Sequence, residues 1–216
     1  MASEIYKYLS VDYPKHFGKA VPLKFPLRVE YTSAKNFEIK DKGTGIIQKT
    51  GGGVSVFENH DEKRVEIIDF EKYINDFRKG KACEGGRCDF VLSSADGFDF
   101  LILNELTMTK SEYLHGFVQP TTGIPRIGKM EYAMDYQLPE TIDKLNHAKG
   151  LLPKYKHKTA LFSYRLPDGG ARNAATISMG IFQKPVQNVS NITMHQFLME
   201  GFVFEQRVYP QAYRIP

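Results

Sequence analysis

The chain has 216 residues, enough for one domain with a substantial core, and its 42% hydrophobic and 25% charged residues exclude a disordered chain. A net charge of +4 permits a polyanionic partner but lacks the charge footprint of a strongly basic nucleic-acid binder. No run of roughly 18 or more apolar residues occurs, which argues against a helical membrane span, and "MASEIYKYLSVDYPKHF" has no apolar leader core, so the cytoplasm is the expected compartment.

Residues 1–60 carry Pro14, Pro22 and Pro26, then "LKFPLRVEY" and "GGGVSVFEN", a pattern of strands and turns. Val65 to Phe70 reads as a strand. Phe70, Ile74 and Phe77 recur at helical spacing, predicting a short helix from about Asp69 to Lys79, ended by Gly80. "CDFVLSSADGFDFLILNELT", residues 88–107, is two apolar strands around a turn. A Gly-, Pro- and Thr-rich stretch over 111–128 predicts a long loop, of the kind that carries function or motion. Met134, Leu138, Ile142 and Leu145 mark one face of a helix that Pro139 either kinks or restarts. "KTALFSYRLP" and "ISMGIFQ" read as strands. "TMHQFLMEGF" reads as a helix capped by Thr193 or Asn191, and "FVFEQRVYP" as a last strand. The alternation favours an α/β sheet with helices on its faces.

The hairpin carries one carboxylate near each end, and its turn decides whether they meet. With Asp96-Gly97 as a two-residue loop, Asp89 falls opposite Asn104 and Glu105 goes to the other face. With Ala95-Asp96-Gly97 as a three-residue loop, Asp89 lies opposite Leu103, and Asp89 and Glu105 become diagonal neighbours on one face. Two such carboxylates repel unless a proton or a cation intervenes, and a hard divalent ion, Mg²⁺ or Mn²⁺, suits oxygen ligands. The plainer reading places both acids at strand ends in solvent, paired with Arg87 or Lys110.

"CDFVL" followed by "FLILNEL", with a helix before and "YAMDYQLPETIDKLN" after, resembles the core of the PD-(D/E)xK nuclease superfamily, which includes restriction endonucleases and DNA-repair nucleases. The resemblance covers about residues 65–166. It implies a restriction-endonuclease-like mixed central sheet flanked by helices over 65–216, with a β-rich N-terminal extension over 1–64, within one globular domain. It implies Asp89 as the metal-binding Asp and Glu105 as the Glu of Glu-x-Lys. Glu71, or else Asp69, stands as the acid of the preceding helix, and Leu106 lends its backbone carbonyl to the metal. DNA is then the partner, Mg²⁺ or Mn²⁺ the cofactor, and a homo-oligomer would let two chains cut both strands.

The chain departs from that pattern at Thr107, where the family has lysine. A hydroxyl cannot supply the electrostatic stabilisation that an ammonium gives to a reacting phosphate. Lys110, if the chain turns after Met108, and Lys129, at the start of the next helix, are the candidate replacements; each is otherwise an exposed charge. Gln137 is a further candidate contact. "KGLLPKYKHK", 149–158, reads either as a phosphate-tracking segment in which Tyr155 stacks on bases or as an ordinary loop.

Other signals point nowhere specific. "GTGIIQKTGGG" lacks the order of a phosphate-binding loop, and Lys49-Thr50-Gly51 has no S-x-x-K partner motif. The six histidines lack metal-site spacing, although His115 falls in the long loop, and Cys83 and Cys88 do not complete a zinc site.

Overall fold

The computed structural model describes residues 3–41, 45–48, 51–78, 86–167 and 197–216. The chain begins with helix, contrary to the strand-and-turn expectation. Two short α-helices, α1 (Glu4–Lys7) and α2 (Tyr13–His16), flank a π-helical turn over Tyr8–Asp12. Ser3 caps α1 by accepting the Tyr6 N–H at 3.1 Å. Ile5, Leu9 and Tyr13 recur every four residues and are fully buried, a helical stripe that the prolines and glycines further on obscure.

Strands β1 (Val29–Thr32), β2 (Asn36–Ile39), β3 (Ile47–Gln48), β4 (Ser55–Glu58) and β5 (Val65–Asp69) follow. Next come α3 (Phe70–Arg78), β6 (Phe90–Ser94) and β7 (Phe100–Met108). The expected long loop contains a small hairpin, β8 (Phe117–Val118) with β9 (Pro125–Arg126). Then α4 (Lys129–Tyr132), a π-helical turn over Ala133–Gln137 and α5 (Leu138–Asn146) form one continuous helical path. Strands β10 (His157–Arg165), β11 (Val203–Val208) and β12 (Ala212–Arg214) complete the described chain, so the segment read as the last strand is followed by one more. "ISMGIFQ", residues 193–196 of "TMHQFLMEGF" with both cap candidates, Asn191 and Thr193, and the expected helix stop at Gly80 lie outside the described residues; residues 197–199 are helical.

Both π-helical turns stand just before a proline, Pro14 or Pro139. Proline offers no N–H to the carbonyl four residues back and its ring crowds that carbonyl. Widening the preceding turn carries the helical path on to the proline, and Pro139 stands in the first turn of α5, as the restart alternative has it.

Six strands form a mixed sheet in the order β1-β5-β6-β7-β10-β11. β1, β5, β6 and β7 pair antiparallel, whereas β10 runs parallel to β7 and β11 parallel to β10. A parallel step needs a crossover, and the α4–α5 path provides it between β7 and β10. One face of this sheet packs on helices: Ile68, Val91, Leu101, Leu103 and Ala160 meet Ile74, Leu138, Ile142 and the N-terminal Ile5 and Leu9. The other face packs on a second sheet, of order β12-β4-β2-β3, through Ile67, Leu92, Phe100 and Ile102 against Phe37, Ile39, Phe57 and Tyr213. The main sheet is therefore flanked by helices on one side and by strands on the other, which is why β6 and β7 are apolar on both faces. β1 belongs to the main sheet and β12 to the second, so both ends of the chain are stitched across the middle.

Candidate active site

The hairpin resolves in a register that neither short turn would give. Phe90 pairs with Asn104 and Ser93 with Leu101, leaving a five-residue connection, Ala95–Asp99. Extending that register by one residue sets Asp89 directly opposite Glu105, on one face. The turn is long because Asp99 is engaged elsewhere: its carboxylate takes the Lys63 ammonium at 2.6 Å, and its carbonyl takes the His157 N–H at 3.1 Å.

Asp89 is held at three points. Its carbonyl accepts the Phe70 and Glu71 N–H groups at 2.9 and 3.0 Å, tying it to the start of α3, and its Oδ2 accepts the Leu106 N–H at 2.8 Å. Glu105 is only 7% exposed, and no donor reaches its buried Oε2. The two side chains are neighbours, each shifting the other's affinity for a proton. Burial raises the pKa of Asp89 to about 7, against the Leu106 N–H that lowers it and with the Glu71 charge adding to the rise. Burial, followed by repulsion from Asp89, pushes Glu105 well above the carboxylate range, while the Gln137 side chain favours its ionised form. Two carboxyls in this state hold protons that a cation of sufficient charge would displace.

Gln137 sits in the π-helical turn, donating to the Arg87 carbonyl at 3.2 Å. Cys88, beside Asp89, is fully buried with its thiol against the Phe90 carbonyl at 3.3 Å, and burial raises its pKa, so it is an inert core thiol. Cys83 lies outside the described residues.

The remaining acids divide by role. Asp69 ends β5 and caps α3, accepting the Lys72 N–H at 3.0 Å and the Arg28 guanidinium at 3.1 Å. That occupies it structurally. Glu71, in the first turn of α3, is half exposed and lies 3.5 Å from the Arg87 guanidinium, so Arg87 pairs with Glu71 and not with the hairpin acids. Asp89 and Glu71 both line a polar cavity of about 390 Å³, together with Arg28, Lys40 and Lys72.

Lys40 is the cation that sequence reasoning missed. Arg28 is committed to Asp69 and Lys72 to Asp76, but among the described residues Lys40 has no carboxylate partner. Nothing in its local sequence marks it, because it follows β2 of the second sheet and shares a cavity with Asp89 only through the packing of the two sheets. Lys110 and Lys129 are exposed, and neither pairs with Asp89 or Glu105. Thr107 lies two residues after Glu105 on the same face, aligned with Tyr164 of β10.

Two sequence signals find structural explanations. The glycine triplet does bind an anion, but one belonging to the chain: Gly51, Gly52 and Gly53 donate to the Glu38 carboxylate at 2.9, 3.0 and 2.7 Å. Burial alone would raise the pKa of Glu38, yet these donors outweigh it and hold it below the ordinary range. Tyr155 in "KGLLPKYKHK" is 3% exposed and packs edge-on against Phe98, so it cannot stack on a base. His115 pairs with Glu131 at 2.9 Å.

Among the described residues no group of three or more His, Cys, Asp or Glu side chains is gathered as a metal site, and no helix is long and apolar enough to cross a membrane. No family model, curated protein or solved structure matches the chain.

Proposed function

We propose that this chain is a metal-dependent nuclease-like domain that hydrolyses DNA phosphodiester bonds, with Asp89 and Glu105 as the carboxylates that hold a Mg²⁺ or Mn²⁺ ion. The observation that carries this reading is the buried, donorless Oε2 of Glu105, on a residue that the strand register sets opposite Asp89. Mg²⁺ is commonly bound by one or two carboxylates, its other positions being filled by water and substrate phosphate, so a pair suffices without a third protein acid. The Leu106 carbonyl and, from the rim, Glu71 are further oxygen donors of the set that the resemblance to PD-(D/E)xK nucleases implies. When bound, the ion would lower the pKa of a water and polarise the phosphate.

The chain's own residues do the rest. The Leu106 N–H and the α3 amides fix Asp89, and Gln137 orients Glu105 from the helix. Lys40 takes the electrostatic role of the lysine that Thr107 replaces, with Lys129 and Lys110 as exposed phosphate contacts. Cleavage of linear, circular and single-stranded DNA with Mg²⁺ and Mn²⁺ tests the reading. Wild type should cut with either ion, and Asp89→Ala and Glu105→Ala should abolish cutting while remaining folded.

A second reading has its own observation. Thr107 stands where the lysine belongs, and among the described residues no lysine pairs with either carboxylate. On that reading the chain is a catalytically inactive nuclease-fold module for nucleic acid or protein. Folded wild type would then cut nothing with any divalent ion, and neutralising Glu105 would leave partner binding intact.

A further inference from the structure

Beyond the carboxylate pair, the face of β7 that bears Glu105 continues through Thr107 to Thr109, whose N–H still bonds the Arg165 carbonyl of β10 at 3.1 Å. Thr109 lies about 13 Å from Glu105 along the strand. There it lines an open cleft of about 780 Å³, walled by the β8–β9 hairpin and the start of α4. Tyr113, Phe117 and Tyr132 supply its aromatic lining, and Arg126 and Lys129 its charge. No acidic side chain lines it, and among the described residues neither cation pairs with a carboxylate. Arg126 is steadied by Gln119, which accepts from its Nε at 3.1 Å. Tyr132 is 43% exposed, and its neighbour Tyr136 lies 5.4 Å away between ring centroids.

The exposed ring of Tyr132 and the half-buried rings of Tyr113 and Phe117, which pack edge-on at 4.8 Å between centroids, stand beside cations with no competing acids, a combination that matches the chemistry of an unstacked nucleic-acid strand. Its bases offer π-faces and its phosphates offer charge. A duplex offers only the phosphates, because its bases are already stacked on one another.

We infer that this cleft binds single-stranded nucleic acid, with bases on Tyr113, Phe117 and Tyr132 and phosphates on Arg126 and Lys129, and leads the strand along β7 to the carboxylate pair. The second half of this statement rests on the nuclease reading; the first does not. At about 3.4 Å of rise per stacked nucleotide, the distance from Thr109 to Glu105 corresponds to roughly four nucleotides, fewer if the strand is stretched.

The test is fluorescence anisotropy with a labelled oligothymidylate and with its duplex on oligoadenylate, in EDTA so that binding is read without cleavage. Wild type should bind the single strand at least about tenfold more tightly than the duplex, with affinity falling as salt rises. Tyr132→Ala and the double variant Arg126→Ala/Lys129→Ala should each weaken single-strand binding about tenfold or more, and Tyr132→Phe should restore it. Circular dichroism confirms that each variant is folded. No single-strand binding by wild type, equal affinity for duplex, or full affinity in the folded cleft variants overturns the inference. Binding that follows the cleft variants, without cleavage under any divalent ion, upholds the cleft and overturns the nuclease reading alone.

Discussion

Glu66 and Ser3 are joined across the main sheet: the fully buried Glu66 carboxylate on β5 accepts both the backbone N–H and the hydroxyl of Ser3, and takes the Tyr31 hydroxyl at 2.8 Å. These donors anchor the N-terminal helical segment to the sheet. Glu66→Ala removes their shared acceptor and leaves buried donors unpaired, which costs about 3 kcal/mol in total. Ser3→Ala, which keeps the backbone bond, costs about 1 kcal/mol. Urea unfolding of the two variants checks the order; equal stabilities would mean that Ser3 is not held by Glu66.

Because burial raises the pKa of Asp89 to about 7 and that of Glu105 well above its usual range, the folded chain keeps protons that the unfolded chain has released above about pH 4. Stability contributed by these groups is therefore intact below that pH and declines as pH rises toward and through the folded values. A divalent ion that replaces the protons should raise Tm more at about pH 8 than at about pH 5. Asp89→Asn should remove most of this ion effect. Differential scanning fluorimetry with and without Mn²⁺ reads both, and an ion shift independent of pH would count against a protonated pair.

Lys40 shares the cavity of Asp89 and Glu71 without a carboxylate partner of its own. If it supplies the charge that Thr107 cannot, Lys40→Ala should lower single-turnover cleavage about a hundredfold. The Mn²⁺-induced Tm shift should persist, since the carboxylates remain. Unchanged cleavage in Lys40→Ala would remove Lys40 from the site.

Gly53 is close to its neighbours: a Cβ there would stand 2.5 Å from the Glu38 Cβ and 3.0 Å from the Ile39 carbonyl oxygen. Gly53→Ala should destabilise the fold by about 2 kcal/mol by pushing the amide cradle away from Glu38. Gly51 faces open space but has a φ of 84°, so Gly51→Ala should cost only the left-handed backbone penalty of about 1 kcal/mol. Thermal melts that rank the two the other way would contradict this account of the cradle.

Much of the main sheet could be read directly, because alternation and helical spacing are properties of neighbouring residues. Val65–Asp69, Phe70–Arg78 and His157–Arg165 emerge close to their predicted bounds for that reason. The N-terminal helix was equally present in the spacing of Ile5, Leu9 and Tyr13, but the punctuation that follows masks it. The chain alone also places Asp89 and Glu105 near the two ends of one hairpin.

What the sequence could not decide was the register. A difference of one residue in a turn moves a side chain to the opposite face, and the five-residue connection depends on Asp99 binding Lys63 and the backbone of His157, contacts distant in sequence. Only the tertiary structure sets Asp89 opposite Glu105, buries both so that their pKa values rise, and brings Lys40 from the end of β2 to the cavity that Asp89 lines. Local periodicity determines elements; burial and charge proximity depend on which elements pack together, and those contacts bridge segments far apart along the chain.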